Sequence, residues 1–190
     1  MTLTRIDPRS AYRSALDWAD GLVAGVRPEQ LDGPTPCAEF DVRTLVRHLI
    51  ATVNKIRAIG EGVSPFAMPH IAPDAPDLPA AFATAVTGMW TVWSDDALLD
   101  AEVAVPWGRA PGRAALWGYV NETLVHGWDL AVATGQHAEA DPELATTVLD
   151  LARRLIPTER GGEVPFGAVV EPAAEAGPTE QLANWSGHRR

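Results

Sequence analysis

Glu122 and His126 are the first residues whose types and spacing suggest chemistry. They stand four apart in Tyr119-Val120-Asn121-Glu122-Thr123-Leu124-Val125-His126. On a helix, positions i and i+4 share a face one turn apart, so a carboxylate oxygen and an imidazole nitrogen can converge on one divalent ion. Two ligands from one helix rarely hold an ion tightly, and a third has to come from elsewhere. His48 is the best candidate, because it lies at the flank of another apolar stripe, where a side chain can point into a groove between helices. Three ligands of this kind with an open position match a catalytic zinc site more than a structural one. Nickel and iron(II) accept the same donors. Spacing alone leaves a plainer reading open. The Glu–His pair can be a solvated ion pair, and His48 a core-flanking histidine with a satisfied hydrogen bond.

Other residues are placed around this set. Asp129 follows His126 by three and Glu122 by seven, on the same helical face. It is a candidate to accept a hydrogen bond from a ligand imidazole, or else to pair with Arg43 or Arg47. Thr52 and Lys55 follow His48 by one and two turns and are expected to line the same groove. His70 is a candidate fourth ligand or lid residue, and Trp107, in a Pro-Trp-Gly turn, a candidate pocket border. Cys37 precedes a helix, whose N-terminus can lower a thiol pKa, but a lone cysteine in this loop reads as structural. His137 and His188 read as surface residues.

The elements that must hold these residues are helices. The first runs from about Pro8 to Val26, with Tyr12, Leu16, Ala19, Val23 and Val26 on one stripe and Asp7 as its cap. A breaker-rich loop, Leu31 to Phe40, leads to a second helix capped by Asp41 and ended by Gly60 and Gly62. Its stripe of Val42, Leu45, Val46, Leu49, Ile50 and Val53 is the clearest in the chain. Ser64 to Pro79 carries five prolines and is a long connection. A third helix then presents Phe82, Ala85, Val86, Met89 and Trp93. Leu99 to Pro106 alternates loosely and reads as a short extended piece. The fourth helix spans about Gly112 to Thr134, with Gly135 as its stop. The fifth begins near Asp141 and Pro142, carries Leu144, Val148, Leu151 and Leu155, and is bounded by Pro157. Trp90, Trp93, Trp117 and Trp128 read as core. Residues 158–190 read as loop, apart from a last turn near Glu180 to Trp185. The pattern predicts an all-α, up-and-down helical bundle over residues 1–157, with an extension over 158–190 lying across it.

Composition narrows the function. The chain has 190 residues, enough for one core, and a formal net charge of −10. No basic cluster offers a nucleic-acid face. No apolar run reaches the roughly 18–20 residues that span a bilayer, and the N-terminus lacks the layout of a signal peptide. A cytoplasmic protein is expected. One cysteine excludes an intrachain disulfide and a cysteine-rich metal site. Metalloprotease, P-loop, dinucleotide and serine-elbow motifs are absent.

Three stretches carry a family resemblance. Pro34-Thr-Pro-Cys-Ala-Glu-Phe-Asp-Val-Arg-Thr-Leu-Val-Arg-His48-Leu resembles the entry to the second helix of the DinB-like superfamily, in particular actinobacterial members related to the N-terminal domain of mycothiol-dependent maleylpyruvate isomerase. Glu122-Thr-Leu-Val-His126-Gly-Trp-Asp129-Leu-Ala-Val-Ala-Thr-Gly135 resembles that family's second metal motif. Pro165-Phe-Gly-Ala-Val-Val-Glu-Pro, followed by Leu182-Ala-Asn-Trp-Ser-Gly, resembles the C-terminal signature of one subgroup.

The resemblance implies a four-helix bundle, here with an extra helix and a short C-terminal extension. It also implies metal ligands at His48, Glu122 and His126, one from the second helix and two from the fourth. Other branches use three histidines, so Glu122 points to the thiol-dependent side. A divalent metal, zinc first, and mycothiol as cosubstrate are the implied cofactors. The isomerase itself carries a further C-terminal domain that contributes to its active site. This chain ends too soon to contain it, so maleylpyruvate is not carried over as substrate. The expected function is a metal- and thiol-dependent transferase or isomerase acting on a small electrophile. The alternatives are a non-catalytic metal-binding accessory or sensor protein and a plain helical scaffold. A monomer or a homodimer is expected.

Overall fold

The computed structural model describes residues 6–161 and 166–190. Pro165, at the head of the tail signature, lies outside the described residues. The described residues form α1 (Arg9–Ala24), α2 (Val42–Gly60), α3 (Leu78–Trp93), the one-turn α4 (Ala97–Asp100), a hairpin of β1 (Glu102–Val105) and β2 (Gly108–Pro111), then α5 (Gly112–Thr134), α6 (Pro142–Leu155) and α7 (Pro178–Trp185).

Local chemistry accounts for the helix ends. Asp41, Asp77 and Asp141 each accept the backbone N–H three residues on, at 2.7, 2.9 and 2.8 Å. These bonds satisfy one of the donors that every helix start leaves open. Asp7 accepts from the Arg9 N–H at 2.9 Å, and α1 begins just after Pro8. Gly135 ends α5 in the left-handed region at φ +69, where a glycine carries no Cβ penalty.

The four long helices pack as a bundle. α1 lies against α3 and α5, and α2 lies against the same two, so α1 and α2 face each other across the diagonal. Arg9 bonds Asp96 beyond the end of α3, so α1 and α3 run in opposite senses. Tyr12 of α1 is near Thr123 of α5, and Gly25 meets Gln136, so those two run together. Leu78 lies near Val46, while the Trp93 indole N–H donates to the Ile56 carbonyl at 2.7 Å, so α3 runs alongside α2 in the same sense. A short turn between α2 and α3 would have made them antiparallel. The proline-rich link over 61–77 instead carries the chain back along α2, where the Ala72 N–H bonds the Arg47 carbonyl at 3.1 Å. The all-α bundle that the resemblance implies is the fold observed, and its directions read up, down, down, up.

The core sits where the stripes meet. Tyr12, Leu16, Leu45, Leu49, Ile56, Phe82, Met89 and Trp93 are all fully enclosed. α5 packs on α1, α2, α6 and α7 and buries residues on every side, Asn121 and Asp129 among them. Leu155, placed on the apolar stripe of its helix by spacing, is instead 67% exposed at the last residue of α6.

The expected extended piece is β1, and it is paired. β2 returns antiparallel, with Glu102 opposite Pro111 and Val105 opposite Gly108. The return strand, Gly-Arg-Ala-Pro, has none of the β-branched or aromatic residues that announce a strand. α7, the expected last turn, packs on α6 and α5. Its start has no capping side chain of its own. Glu139 supplies one, taking the N–H groups of Thr179 and Glu180 at 3.0 and 3.2 Å. No helix among the described residues is long and apolar enough to cross a membrane.

Candidate metal centre

His48, Glu122 and His126 come together between α2 and α5. One ligand atom from each lies within 4.8 Å of the others. The two imidazole rings stand 4.7 Å apart at 80°. His126 Nε2 lies 3.6 Å from Glu122 Oε2, one turn away on α5. His48 reaches the same point because it is on the flank of α2, with Leu45 and Leu49 turned into the core.

The outward nitrogens are already committed. His48 Nδ1 donates to the His70 carbonyl at 2.8 Å, and His126 Nδ1 donates to Asp129 Oδ2 at 3.1 Å. A carbonyl and a carboxylate only accept, so each Nδ1 carries a proton and each Nε2 is the ring atom that faces the cluster. Ligands bound at about 2.0–2.2 Å around a tetrahedral ion stand roughly 3.4 Å apart. Two imidazole nitrogens, one carboxylate and an ordered outer partner for each histidine fit a divalent ion.

Electrostatics prepares the site. Burial pushes His48 down to about 4, with the neighbouring His126 charge acting in the same direction. Burial alone would lower His126 too, but hydrogen bonds to Asp129 and Glu122 outweigh it and raise the ring to about 9. Burial would raise Glu122 and Asp129, yet their histidine partners hold both below the usual carboxylate range. His48 is therefore neutral near pH 7, and His126 carries a proton on Nε2 where the carboxylate of Glu122 meets it. The site is not sealed, since 35% of the Glu122 side chain reaches solvent.

The neighbouring residues divide between the readings the sequence left open. Asp129 pairs with His126 and not with an arginine: Arg43 reaches Asp32 at 3.6 Å, and Arg47 donates to the Ala72 carbonyl at 2.7 Å. Through its backbone oxygen, not its ring, His70 holds His48. Thr52 and Lys55 are both buried on the His48 side of α2. Burial lowers the Lys55 ammonium against the opposing pull of Glu122. Trp107 lies over Gly118, 6.3 Å from the Tyr119 ring. Cys37 comes within 4.8 Å of donor atoms of His126 and Asp129. Burial, reinforced by the Asp129 charge, pushes its thiol up to about 11, so any helix-terminus effect is outweighed.

His188 overturns its assignment. It is no surface residue: its Nδ1 donates to Asp129, 3.0 Å from Oδ1 and 2.9 Å from Oδ2, and its ring stands 5.5 Å from that of His126. His137 is exposed, as expected.

Fold and site together define a helical bundle with a His, Glu, His cluster between two of its helices. Residues 12–131 match the family model for the mycothiol maleylpyruvate isomerase N-terminal domain, and the chain belongs to that family. Uncharacterized proteins from two Mycobacterium tuberculosis strains, CDC 1551 / Oshkosh and H37Rv, are each 36% identical over 185 residues, covering 96% of this chain and 98% of theirs. Among solved structures, a mutant of mycothiol-dependent maleylpyruvate isomerase superposes with a TM-score of 0.61 at 16% identity, over 82% of this chain and 74% of that one. That likeness is one of fold.

Proposed function

We propose that the chain binds one divalent ion, zinc foremost with nickel and iron(II) as alternatives, through His48, Glu122 and His126. With it the protein uses a mycothiol-type thiol to transfer to, or isomerise, a small electrophile. The observation that carries this reading is the convergence of the three donors within 4.8 Å at a point open to solvent. Membership of the mycothiol-linked family supports the thiol. The cytoplasm is the proposed location, since a free thiol cosubstrate persists in a reducing compartment.

Bound there, the ion supplies the Lewis acidity that lets a thiol ionise at neutral pH, and the thiolate is the nucleophile. The chain's own residues do the rest. His70 and Asp129 fix the two rings, and Glu122 sets the net charge of the donor set. α2 and α5 fix the donor residues, so that the reacting groups are held close.

Calorimetric titration of zinc-loaded protein with mycothiol tests the reading. Binding at submillimolar thiol, absent from the zinc-free protein, is expected. Loaded protein that neither binds the thiol at millimolar concentration nor consumes it in the presence of an electrophile overturns the reading.

The His126 proton also sets a pH dependence. It sits on Nε2, the atom the ion needs, and the ring keeps it up to about 9. His48 takes up no competing proton until pH falls to about 4. Metal affinity should therefore rise about tenfold per pH unit through the neutral range and level off above about 9, with about one proton released per ion. Zinc titrations from about pH 5.5 to 8, in buffers of differing ionisation enthalpy, measure both. A flat profile or a two-proton slope contradicts it.

A further inference from the structure

Asp129 is held by two histidines, and the ligand pattern accounts for only one of them. Its side chain is 0% exposed. One contact goes to His126 Nδ1 on its own helix, and the other comes from His188, beyond the end of α7. Because Asp129 only accepts, His188 Nδ1 carries the proton of that bond.

The backbone at His188 is tightly determined. α7 ends in a Schellman turn: the Gly187 N–H bonds the Asn184 carbonyl at 3.0 Å, and the His188 N–H bonds the Ala183 carbonyl at 2.9 Å. Gly187 takes φ +97 and packs on Gly167, where a Cβ would come within 2.6 Å of backbone. The Asn184 side-chain amide donates to the His188 carbonyl at 3.0 Å. Arg160 donates to the Trp185 carbonyl at 2.7 Å and to the Gly167 carbonyl at 3.1 Å. Glu139 holds the other end of the helix. A tail that served only as a cover would not need its last ordered turn aimed at a buried carboxylate.

We propose that His188 is a positioning residue of the metal centre: it locks the Asp129 carboxylate, which in turn locks the ring plane and tautomer of His126, so the C-terminal helix is part of the site. A buried carboxylate bonded to one imidazole alone can swing about its own torsions. A second donor set across both oxygens, 3.0 Å from Oδ1 and 2.9 Å from Oδ2, removes that freedom. Loss of the second donor leaves a desolvated acceptor half satisfied, and the carboxylate turns to find water. The proposal rests on the metal reading above.

The test is a cobalt(II) titration of the whole chain followed by its visible absorption spectrum, for wild type, His188→Ala and His188→Asn, with thermal melts of each. The asparagine amide nitrogen falls where Nδ1 stands. Wild type should take up one equivalent. His188→Ala should bind about tenfold more weakly with a changed absorption envelope, and His188→Asn should recover most of both. Equal affinity and spectrum in wild type and His188→Ala overturn the proposal. So does an equal loss in both variants that merely follows their melting temperatures. Should His188→Ala fail to fold, His188→Asn decides: wild-type affinity and spectrum support the proposal, and their loss overturns it. No cobalt uptake by wild type fails the metal reading itself, and the proposal with it.

Discussion

Replacing His126 with alanine should leave the purified protein without its divalent ion. His126 lies beside every other part of the cluster: Glu122 at 3.6 Å, the centre of the His48 ring at 4.7 Å from its own and Asp129 at 3.1 Å. Its removal leaves Glu122 and His48 as two donors on separate helices, with no third to hold an ion between them. It also leaves Asp129, a buried carboxylate, to His188 alone. Changes to outer partners of metal ligands already cost about 10–100-fold in affinity, so loss of the ligand itself should cost at least about 100-fold. Elemental mass spectrometry should find about one zinc or nickel per chain in wild type and under about a tenth of that in His126→Ala. His137→Ala is the control, since it removes an exposed histidine remote from the cluster and should keep the full content. A wild type that holds no metal, even after reloading, removes the basis of the enzyme reading.

The sequence made the helices legible where one face is wet and the other dry. α2 shows this best, with Leu45, Val46, Leu49, Ile50 and Val53 all buried and Arg43 and Arg57 turned outward. α5 hides its pattern, because it packs on α1, α2, α6 and α7 and buries polar residues such as Asn121 and Asp129 along with its apolar ones. There the Glu122–His126 spacing was the guide, since a charged pair within such a helix stands out whatever the periodicity. The outer partners were harder to find. Asp129 could be placed by helical arithmetic alone. His188 could not, because its partner lies 59 positions earlier and no local rule links a tail to the helix it docks on. One signal was available: a short apolar stretch ending Trp185-Ser186-Gly187-His188 is a helix with a glycine stop, and a residue just past such a stop has a defined direction. The return strand β2 gave no local signal at all, for its pairing comes from β1 and the turn at Pro106 and Trp107.

Trp93→Ala should be among the most damaging changes to stability that spare the site. The indole is 0% exposed and fills the junction where α2 ends, α3 ends and α5 begins. Its N–H donates to the Ile56 carbonyl at 2.7 Å. Two glycines make room for it. A Cβ on Gly60 would lie 2.9 Å from the indole nitrogen, and one on Gly112 would lie 3.0 Å from the ring and 1.9 Å from the Leu98 carbonyl oxygen. Backbones this close cannot move inward to fill the space, so truncation leaves a cavity and an unused packing surface. The expected cost is about 3–5 kcal/mol, a large share of the roughly 5–15 kcal/mol that holds a domain together. Melting temperature should fall by roughly 6–20 °C for a chain of this size. Trp93→Phe keeps most of the volume and should cost well under half as much. The cluster lies elsewhere: at about 1.5 Å per residue, His126 is roughly 20 Å along α5 from Gly112. Below its lowered melting temperature, Trp93→Ala should still bind one ion with near wild-type affinity. Loss of metal in the folded variant would mean that the packing of this junction and the geometry of the centre are coupled along α2 and α5.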